Sequence, residues 1–193
     1  MKNISNTFLR FLPIGATIIS LAILIYASSQ QIYRQSLNDP QVQLVRDMES
    51  ALIAGITPTQ IVGRNAPFDA TKSLSTFIAI YDKDGNPLES SATIGSSTPK
   101  PPLGVFAYAK VYGENHVTWQ PNSTTRIALV LRPVANTSGY FVVSGRNMIE
   151  VEKRINDLGH MVTLLTLLIL LGIFSLYYLE DYLGNIRKSK DTA

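Results

Sequence analysis

Residues 76–87, Thr76-Phe-Ile-Ala-Ile-Tyr-Asp-Lys-Asp-Gly-Asn-Pro87, predict the central hairpin of a β-sheet. The first half is rich in β-branched and aromatic residues and is apolar on both faces, as expected of a strand that is covered on both sides. The stretch Asp82–Asn86 supplies a tight turn, in which Gly85 or Asn86 can adopt a positive φ. A second strand is predicted to follow over about Pro87–Thr93.

Further along the chain, the sequence predicts one short helix and three more strands. The helix is Leu103–Tyr112, and the strands are His116–Gln120, Thr125–Pro133 and Tyr140–Ser144. Clusters of turn residues separate the strands, among them Thr137-Ser138-Gly139. Together with the hairpin these elements make a five-stranded sheet, which indicates an α+β fold.

Helices are predicted on both sides of these strands. Asp39 has the character of an N-cap and Pro40 that of a first helical residue, so a helix is expected from Pro40 to about Ala54. The stretch Ile56–Ser73 contains proline and glycine without sustained periodicity and predicts an irregular connection. After the last strand, Asn147 and Glu150 have the spacing of a capping box, which predicts another helix start.

The helix after the capping box has a heptad-like apolar seam that continues toward the C-terminus. Its members are Met148, Val151, Ile155, Leu158 and Val162. Such a seam is typical of a helix that pairs with its counterpart in a homodimer. The alternative is that the apolar stripe packs only against the sheet of the same chain.

Two apolar runs without charged residues, Phe11–Ala27 and Met161–Leu179, flank this region. Each approaches the roughly 20 residues that a helix needs to cross the hydrocarbon core of a bilayer. The predicted organisation is a cytoplasmic N-terminal tail (1–10), a first span (11–27), an extracytoplasmic domain (28–160), a second span (161–179) and a cytoplasmic C-terminal tail (180–193). The lipid bilayer is thus the first predicted partner.

Basic residues next to the two runs predict the orientation in the plasma membrane. Lys2 and Arg10 precede the first run, and Arg187, Lys188 and Lys190 follow the second. Because positive charge near the ends of a span resists export, both termini are expected in the cytoplasm. The alternative is that the first run is a signal peptide cleaved near Ala27-Ser28-Ser29, and the central domain is exported in either case.

The order of elements resembles the extracytoplasmic PAS-like, or Cache, sensor domains of bacterial histidine kinases and chemoreceptors. The likeness covers about Pro40–His160, and it also extends to small bacterial membrane proteins with two spans. The hairpin Phe77–Pro87, the strands Arg126–Arg132 and Gly139–Gly145, and the exit helix from Asn147 to Arg154 carry it. The resemblance implies a five-stranded antiparallel sheet with flanking helices between two transmembrane helices. It supplies no ligand residues, because no amino-acid-type Cache ligand motif is present.

Composition and motifs argue against several classes of function. The net charge of +3 is scattered along the chain, which does not favour nucleic-acid binding. No cysteine is present and only two histidines occur, so neither a metal site nor a cofactor is expected. Asp82-Lys-Asp84-Gly85 fits an ordinary turn better than a calcium loop. Because no nucleophile elbow or phosphate-binding glycine loop occurs, the protein is not expected to be an enzyme.

One candidate binding site lies on the strand Thr125–Pro133. Arg126 and Arg132 have the same parity as Ala128 and Val130, so all four are expected on one face. Small residues between two guanidinium groups favour a shallow cavity for a carboxylate or another small anion. The predicted walls of this cavity are Tyr81, Tyr108 and Trp119. The alternative is that the arginines are solvated at the strand ends and the aromatic residues fill the core.

Two classes of function are compatible with these features of the sequence. The first is a membrane-anchored, sensor-like or ligand-binding module without its own effector, because the fourteen residues after Leu179 cannot form one. Such a module would pass a ligand- or partner-induced helix shift of about 1–2 Å to a signalling partner in the membrane. The second is a structural or scaffolding protein of the envelope that binds no small molecule.

Overall fold

A computed structural model describes residues 2–63, 66–135 and 139–191 of the 193-residue chain. Four helices and seven strands are assigned in these ranges. They are α1 (Lys2–Ile53), α2 (Pro58–Val62), β1 (Phe68–Asp69), β2 (Phe77–Tyr81), β3 (Pro87–Ser90), β4 (Ala92–Thr93), α3 (Leu103–Tyr112), β5 (Asn115–Asn122), β6 (Thr125–Pro133), β7 (Phe141–Asn147) and α4 (Ile149–Asp191).

The chain forms two compact units. Residues 33–153 make an α+β unit, and the residues before 33 and after 153 make a helical unit. In the α+β unit, β3-β2-β7-β6-β5 form an antiparallel sheet, and β1 pairs in parallel with β4. The predicted α+β class and its five-stranded antiparallel sheet are therefore confirmed.

One face of the sheet, called the α3 face, carries Phe77, Tyr81, Leu129 and Phe141. These residues are buried together with Phe106 and Ala109 of α3. Gly145 of β7 permits this packing, because a Cβ atom there would collide with the ring of Phe77 and approach Leu129 Cδ2 to 2.7 Å. The alternation of side chains along β2, β6 and β7 thus gives the sheet its main core on this side.

The opposite face of the sheet, called the α1 face, is covered by α1. Val45, Met48 and Leu52 of α1 recur at intervals of three and four residues and form one stripe of the helix. They are buried with residues of three neighbouring strands: Ile80, Val130 and Val142. Both faces of the central strands are therefore covered, which explains why β2 is apolar throughout.

In the helical unit, the segments of α1 and α4 pack in antiparallel register. The rings of Phe11 and Phe174 meet edge to face with centroids 5.6 Å apart. A Cβ atom at Gly15 would lie 3.7 Å from Leu170 Cδ2, and one at Gly159 would lie 3.2 Å from Tyr26 Cε2. The two helices are long and apolar enough to span a membrane, with mean hydropathies of 2.2 and 2.3 in their most apolar stretches.

The predicted helix start at Pro40 is wrong, because α1 is helical from Lys2 through Asp39 and Pro40 to Ile53. A proline inside a helix removes one backbone hydrogen bond at a cost of about 3 kcal/mol, yet α1 is helical on both sides of Pro40. The residues before Asp39 form helix readily, so the cap signal is overridden. N-terminal to Pro40 on the same side of α1, Asn38 is half-buried and Arg34 is exposed.

The helix start predicted after the last strand is confirmed, but Asn147 bonds it differently from the predicted capping box. Asn147 is the last residue of β7, and α4 begins two residues later at Ile149. Its Oδ1 accepts a hydrogen bond from the backbone N–H of Ile149 at 3.0 Å, while Nδ2 donates to the carbonyls of Ala70 and Thr71. The side chain thus joins the end of the sheet to the β1 segment.

Other differences concern short elements. The predicted second strand divides at Ser91, whose hydroxyl accepts from the N–H of Ile78 and donates to its carbonyl, so β4 leaves the main sheet. The predicted irregular connection contains α2 and β1. The hairpin turn is confirmed, with Gly85 at φ 79°. Of the turn predicted at Thr137-Ser138-Gly139, the first two residues lie outside the described residues.

Candidate functional site

The structure divides the five predicted site residues between the two faces of the sheet. Arg126 and Arg132 lie on the α1 face with Ala128 and Val130, as strand parity predicts. Tyr81 and Trp119 point to the α3 face, because they pair in register with Phe141 and Ile127. Tyr108 lies on α3, which covers that same face. The predicted cavity with arginines and aromatic walls is therefore not formed.

The aromatic residues have structural roles on the α3 face. Tyr81 is fully buried, and its hydroxyl donates to the carbonyl of Pro99 at 2.7 Å. Burial raises the pKa of this phenol, which keeps it neutral and a hydrogen-bond donor. Trp119 is half-buried against the same core. Tyr108 is 50% exposed and packs on Tyr112 with ring centroids 4.4 Å apart.

Both predicted arginines are held by carboxylates. Arg132 Nε donates to Glu49 of α1 at 2.9 Å, and its Nη1 donates to Glu114 near the start of β5, also at 2.9 Å. Arg126 Nη1 donates to Glu152 of α4 at 2.6 Å. Since Arg132 is only 28% exposed, the alternative of a freely solvated strand-end arginine does not describe it either. These ion pairs tie α1 and α4 to the sheet.

Glu114 lies at the centre of the charged cluster on the α1 face. Partial burial raises the pKa of this carboxyl, but hydrogen bonds from His116 and Arg132 outweigh it, so the pKa lies below its usual value. In turn, the hydrogen bond to Glu114 raises the pKa of Arg132 further, and Glu49 adds to the shift. Glu49 and Glu114 thus share the guanidinium of Arg132, which holds both carboxylates on the α1 face.

A cavity of about 150 Å³ opens on the α1 face beside this cluster. Seven residues from α1, β5, β6 and the β7–α4 junction line it: Arg34, Asn38, His116, Val117, Thr118, Ala128 and Met148. The methyl group of Ala128 leaves the space that a larger residue would fill, and Met148 packs beside it. We name this space the α1-face cavity.

The polar groups of the α1-face cavity differ in how far their hydrogen-bonding capacity is used. His116 Nε2 bonds Glu114, and the Thr118 hydroxyl donates to Met148 Sδ at 3.7 Å. Within residues 2–63, 66–135 and 139–191, the side chains of Arg34 and Asn38 form no hydrogen bond or ion pair. The cavity therefore offers a guanidinium and a carboxamide that are available to a ligand.

Sequence reasoning anticipated Ala128 as the floor of a cavity but missed Arg34 and Asn38. Both residues lie on the helical stripe that continues through Val45 and Met48, at spacings of four, seven and three. That spacing was the available signal. The predicted helix began at Pro40, after both residues, so their helical spacing to Val45 was not recognised.

A second, larger groove of about 570 Å³ lies in the helical unit, between the paired segments of α1 and α4. Its walls are mainly apolar, with Tyr26, Asn156 and His160 as polar members. Among the described residues, no group of three or more histidine, aspartate or glutamate side chains could hold a metal ion.

Comparison with known proteins gives no family for this chain. No protein-family model matches it, and no curated protein matches it at a significant level.

Proposed function

We propose that this protein is a membrane-anchored, extracytoplasmic sensor-like module of the PAS or Cache type, which passes a ligand-induced helix shift to another membrane protein. The observation that carries the proposal is the double role of α1. Its C-terminal part is a packed layer of the α+β unit, through Val45, Met48 and Leu52, and its N-terminal part is one of the two apolar segments.

Exposure of the apolar segments supports a membrane location. In the most apolar stretches of α1 and α4, 6% and 0% of the residues are buried. The core helix of a water-soluble protein has the same composition but is mostly buried against other elements. Two exposed stretches of this length would be costly in water, whereas a bilayer covers them. Lys2, Arg10 and Arg187 favour cytoplasmic termini by the positive-inside rule.

The arrangement of the sheet supports the resemblance to PAS-like and Cache domains. When the five strands of this sheet are numbered by their order in the chain, their order across the sheet is second, first, fifth, fourth, third. The first and last strands are therefore adjacent at the centre, and α4 follows the last of them after one residue, Met148. A chain that leaves the middle of the sheet directly into a helix can couple the sheet to that helix.

The α1-face cavity gives the coupling a starting point. Arg34 and Asn38 belong to α1, whereas His116, Thr118 and Ala128 belong to the sheet. A ligand that contacts both sets binds more tightly to one relative position of α1 and the sheet than to another. This difference in affinity shifts the population toward the conformation that the ligand binds better. Helix shifts of about 1–2 Å are the usual scale of such signals.

Single-cysteine labelling tests the topology, and the chain's lack of cysteine removes background. Ser123 is exposed in the β5–β6 turn, and Asn185 is exposed in the last part of α4. In intact cells, a membrane-impermeant maleimide is expected to label Ser123→Cys at once and Asn185→Cys only after permeabilisation. Labelling of Asn185→Cys in intact cells, with Ser123→Cys protected, would reject the proposed orientation.

A ligand screen separates the sensor-like function from the scaffolding alternative. The full chain in nanodiscs is heated with a panel of metabolites while the emission of Trp119, the only tryptophan, reports unfolding of the α+β unit. A ligand that binds the folded state alone raises Tm by mass action. If no compound shifts Tm and cross-linking in cells recovers a constant protein partner, the scaffolding function replaces the sensor-like one.

A further inference from the structure

We infer that the α1-face cavity is a binding site for a small carboxylate with a short aliphatic tail, in which Arg34 of α1 is the principal recognition residue. The inference rests on the proposed function, since it gives the ligand-binding module its ligand class. It differs from the site expected from sequence, because Arg126 and Arg132 are engaged by Glu152, Glu49 and Glu114.

The available hydrogen-bond donors match a carboxylate. The guanidinium of Arg34 presents a planar fork that bonds both oxygens of a carboxylate, and a charge-assisted pair of this kind is stronger than one between neutral groups. Asn38, one helical turn further along α1, adds a carboxamide N–H₂ on the same side. Neither side chain has a competing partner among the described residues.

The charge of Arg34 favours an anion as the ligand. In the charged cluster of the same face, Arg132 bonds both Glu49 and Glu114, and His116 bonds Glu114. Arg34 is left without a counter-charge among the described residues. A guanidinium that has no carboxylate partner is a group beside which an added negative charge gains free energy.

Size and polarity narrow the ligand further. The volume of about 150 Å³ lies below the roughly 300–1,000 Å³ of drug-sized ligand pockets, so only a few heavy atoms fit. The floor is apolar at Ala128 and Met148, opposite the polar side chains of α1. An inorganic phosphate or sulfate would leave oxygens against this apolar floor, whereas the methyl or ethyl end of acetate or propionate packs there.

The test is calorimetric titration of the full chain, in phosphatidylcholine nanodiscs at constant ionic strength, with sodium acetate, propionate, phosphate and sulfate. Acetate or propionate is expected to bind, and Arg34→Gln is expected to weaken this binding by about 10- to 100-fold, as for loss of a hydrogen bond to a charged group. Ala128→Leu, which fills the floor but keeps the guanidinium, is expected to abolish it. Arg46→Gln removes the same charge from an exposed position of α1 and is expected to leave binding unchanged.

Three outcomes would overturn the inference. They are acetate binding that Arg34→Gln and Ala128→Leu leave intact, binding of phosphate or sulfate in place of the carboxylates, and no binding of any of the four anions. If another metabolite raises Tm and the labelling pattern holds, the proposed function stands and only the ligand class fails. If the labelling pattern is inverted, the proposed function fails, whatever the titrations give.

Discussion

Arg132 connects α1 to the segment that enters β5, the edge strand of the sheet. Its guanidinium bonds Glu49 and Glu114, whose side chains are 14% and 22% exposed. Replacement by methionine, Arg132→Met, leaves two partly buried carboxylates without their shared donor. We expect a loss of about 1–3 kcal/mol in the free energy of unfolding at neutral pH. Urea unfolding of the full chain, followed by the emission of Trp119, measures it.

The same substitution is expected to change the pH dependence of stability. Glu114 has a pKa below its ordinary value of 4.5 in the folded protein, so its ionised form stabilises the fold. This contribution is complete above the unfolded pKa and is lost as the pH falls through the lower, folded pKa. Removing Arg132 raises the folded pKa toward 4.5, so the difference between wild type and Arg132→Met should shrink as the pH falls below that value.

Arg126→Met is the matched control for this prediction. Arg126 also pairs with a carboxylate, Glu152, but its side chain is 45% exposed and the pair is screened by solvent. A smaller loss is expected there, with little dependence on pH. Equal losses in the two variants, or a pH-independent difference for Arg132→Met, would contradict the role given to the Glu114 cluster.

The ion pairs of Arg126 and Arg132 show which part of the site could be predicted from the sequence and which part could not. Strand parity correctly placed Arg126, Ala128 and Arg132 on one face, because alternation is a local property of a strand. The partners of Arg132 stand 83 and 18 positions away in the chain, and no periodicity connects them. Pairing between distant segments decides which partners an arginine has, so the face of the strand could be predicted from the sequence but the ion pairs of Arg132 could not.

At the scale of elements, α1 shows how local signals compete. Asp39-Pro40 has the form of a helix start, and yet the helix is continuous from Lys2 to Ile53. By contrast, α3 and β6 have the predicted bounds, because each is set by one pattern and ended by glycine or turn residues. A prediction from local sequence fails where two signals disagree and tertiary packing decides between them.

Pro40 offers a direct test of the continuous helix. Inside a helix, proline lacks the N–H that would bond the carbonyl four residues earlier, at a cost of up to about 3 kcal/mol. Pro40→Ala is therefore expected to raise the free energy of unfolding by about 1–3 kcal/mol and to add helical signal in circular dichroism.

Two further variants separate this expectation from a helix that begins at Pro40. Asp39→Ala should be neutral if the helix is continuous, but should cost about 1 kcal/mol if Asp39 is an N-cap. Pro58→Ala is the control, because Pro58 occupies the first turn of α2, where proline is favourable, and its loss should stabilise nothing. A destabilised Pro40→Ala together with a destabilised Asp39→Ala would restore the helix start that the sequence indicates.

At the scale of the whole molecule, the two compact units predict that the α+β unit folds without the apolar segments. The buried residues of both sheet faces, from Val45 to Val143, lie within residues 33–153, as do the ion pairs of Arg132. A domain of this size can bury a sufficient core without disulfides. The fragment 28–160, which is the extracytoplasmic domain predicted from sequence, contains this unit entirely.

We expect the fragment 28–160 to be monodisperse in buffer without detergent and to unfold in urea in one cooperative transition. Trp119 emission and far-ultraviolet circular dichroism should report the same midpoint, because α1 and α3 pack on opposite faces of the same sheet. Val45→Asp, which puts a carboxylate between α1 and the sheet, should abolish the transition, whereas Arg46→Asp on the exposed side of the same helix should preserve it. A gradual transition, with different midpoints for the two signals and exposed apolar surface, would show that the α+β unit depends on the apolar segments for its fold. In that case a shift in the position of α1 could not be separated from unfolding of the sheet.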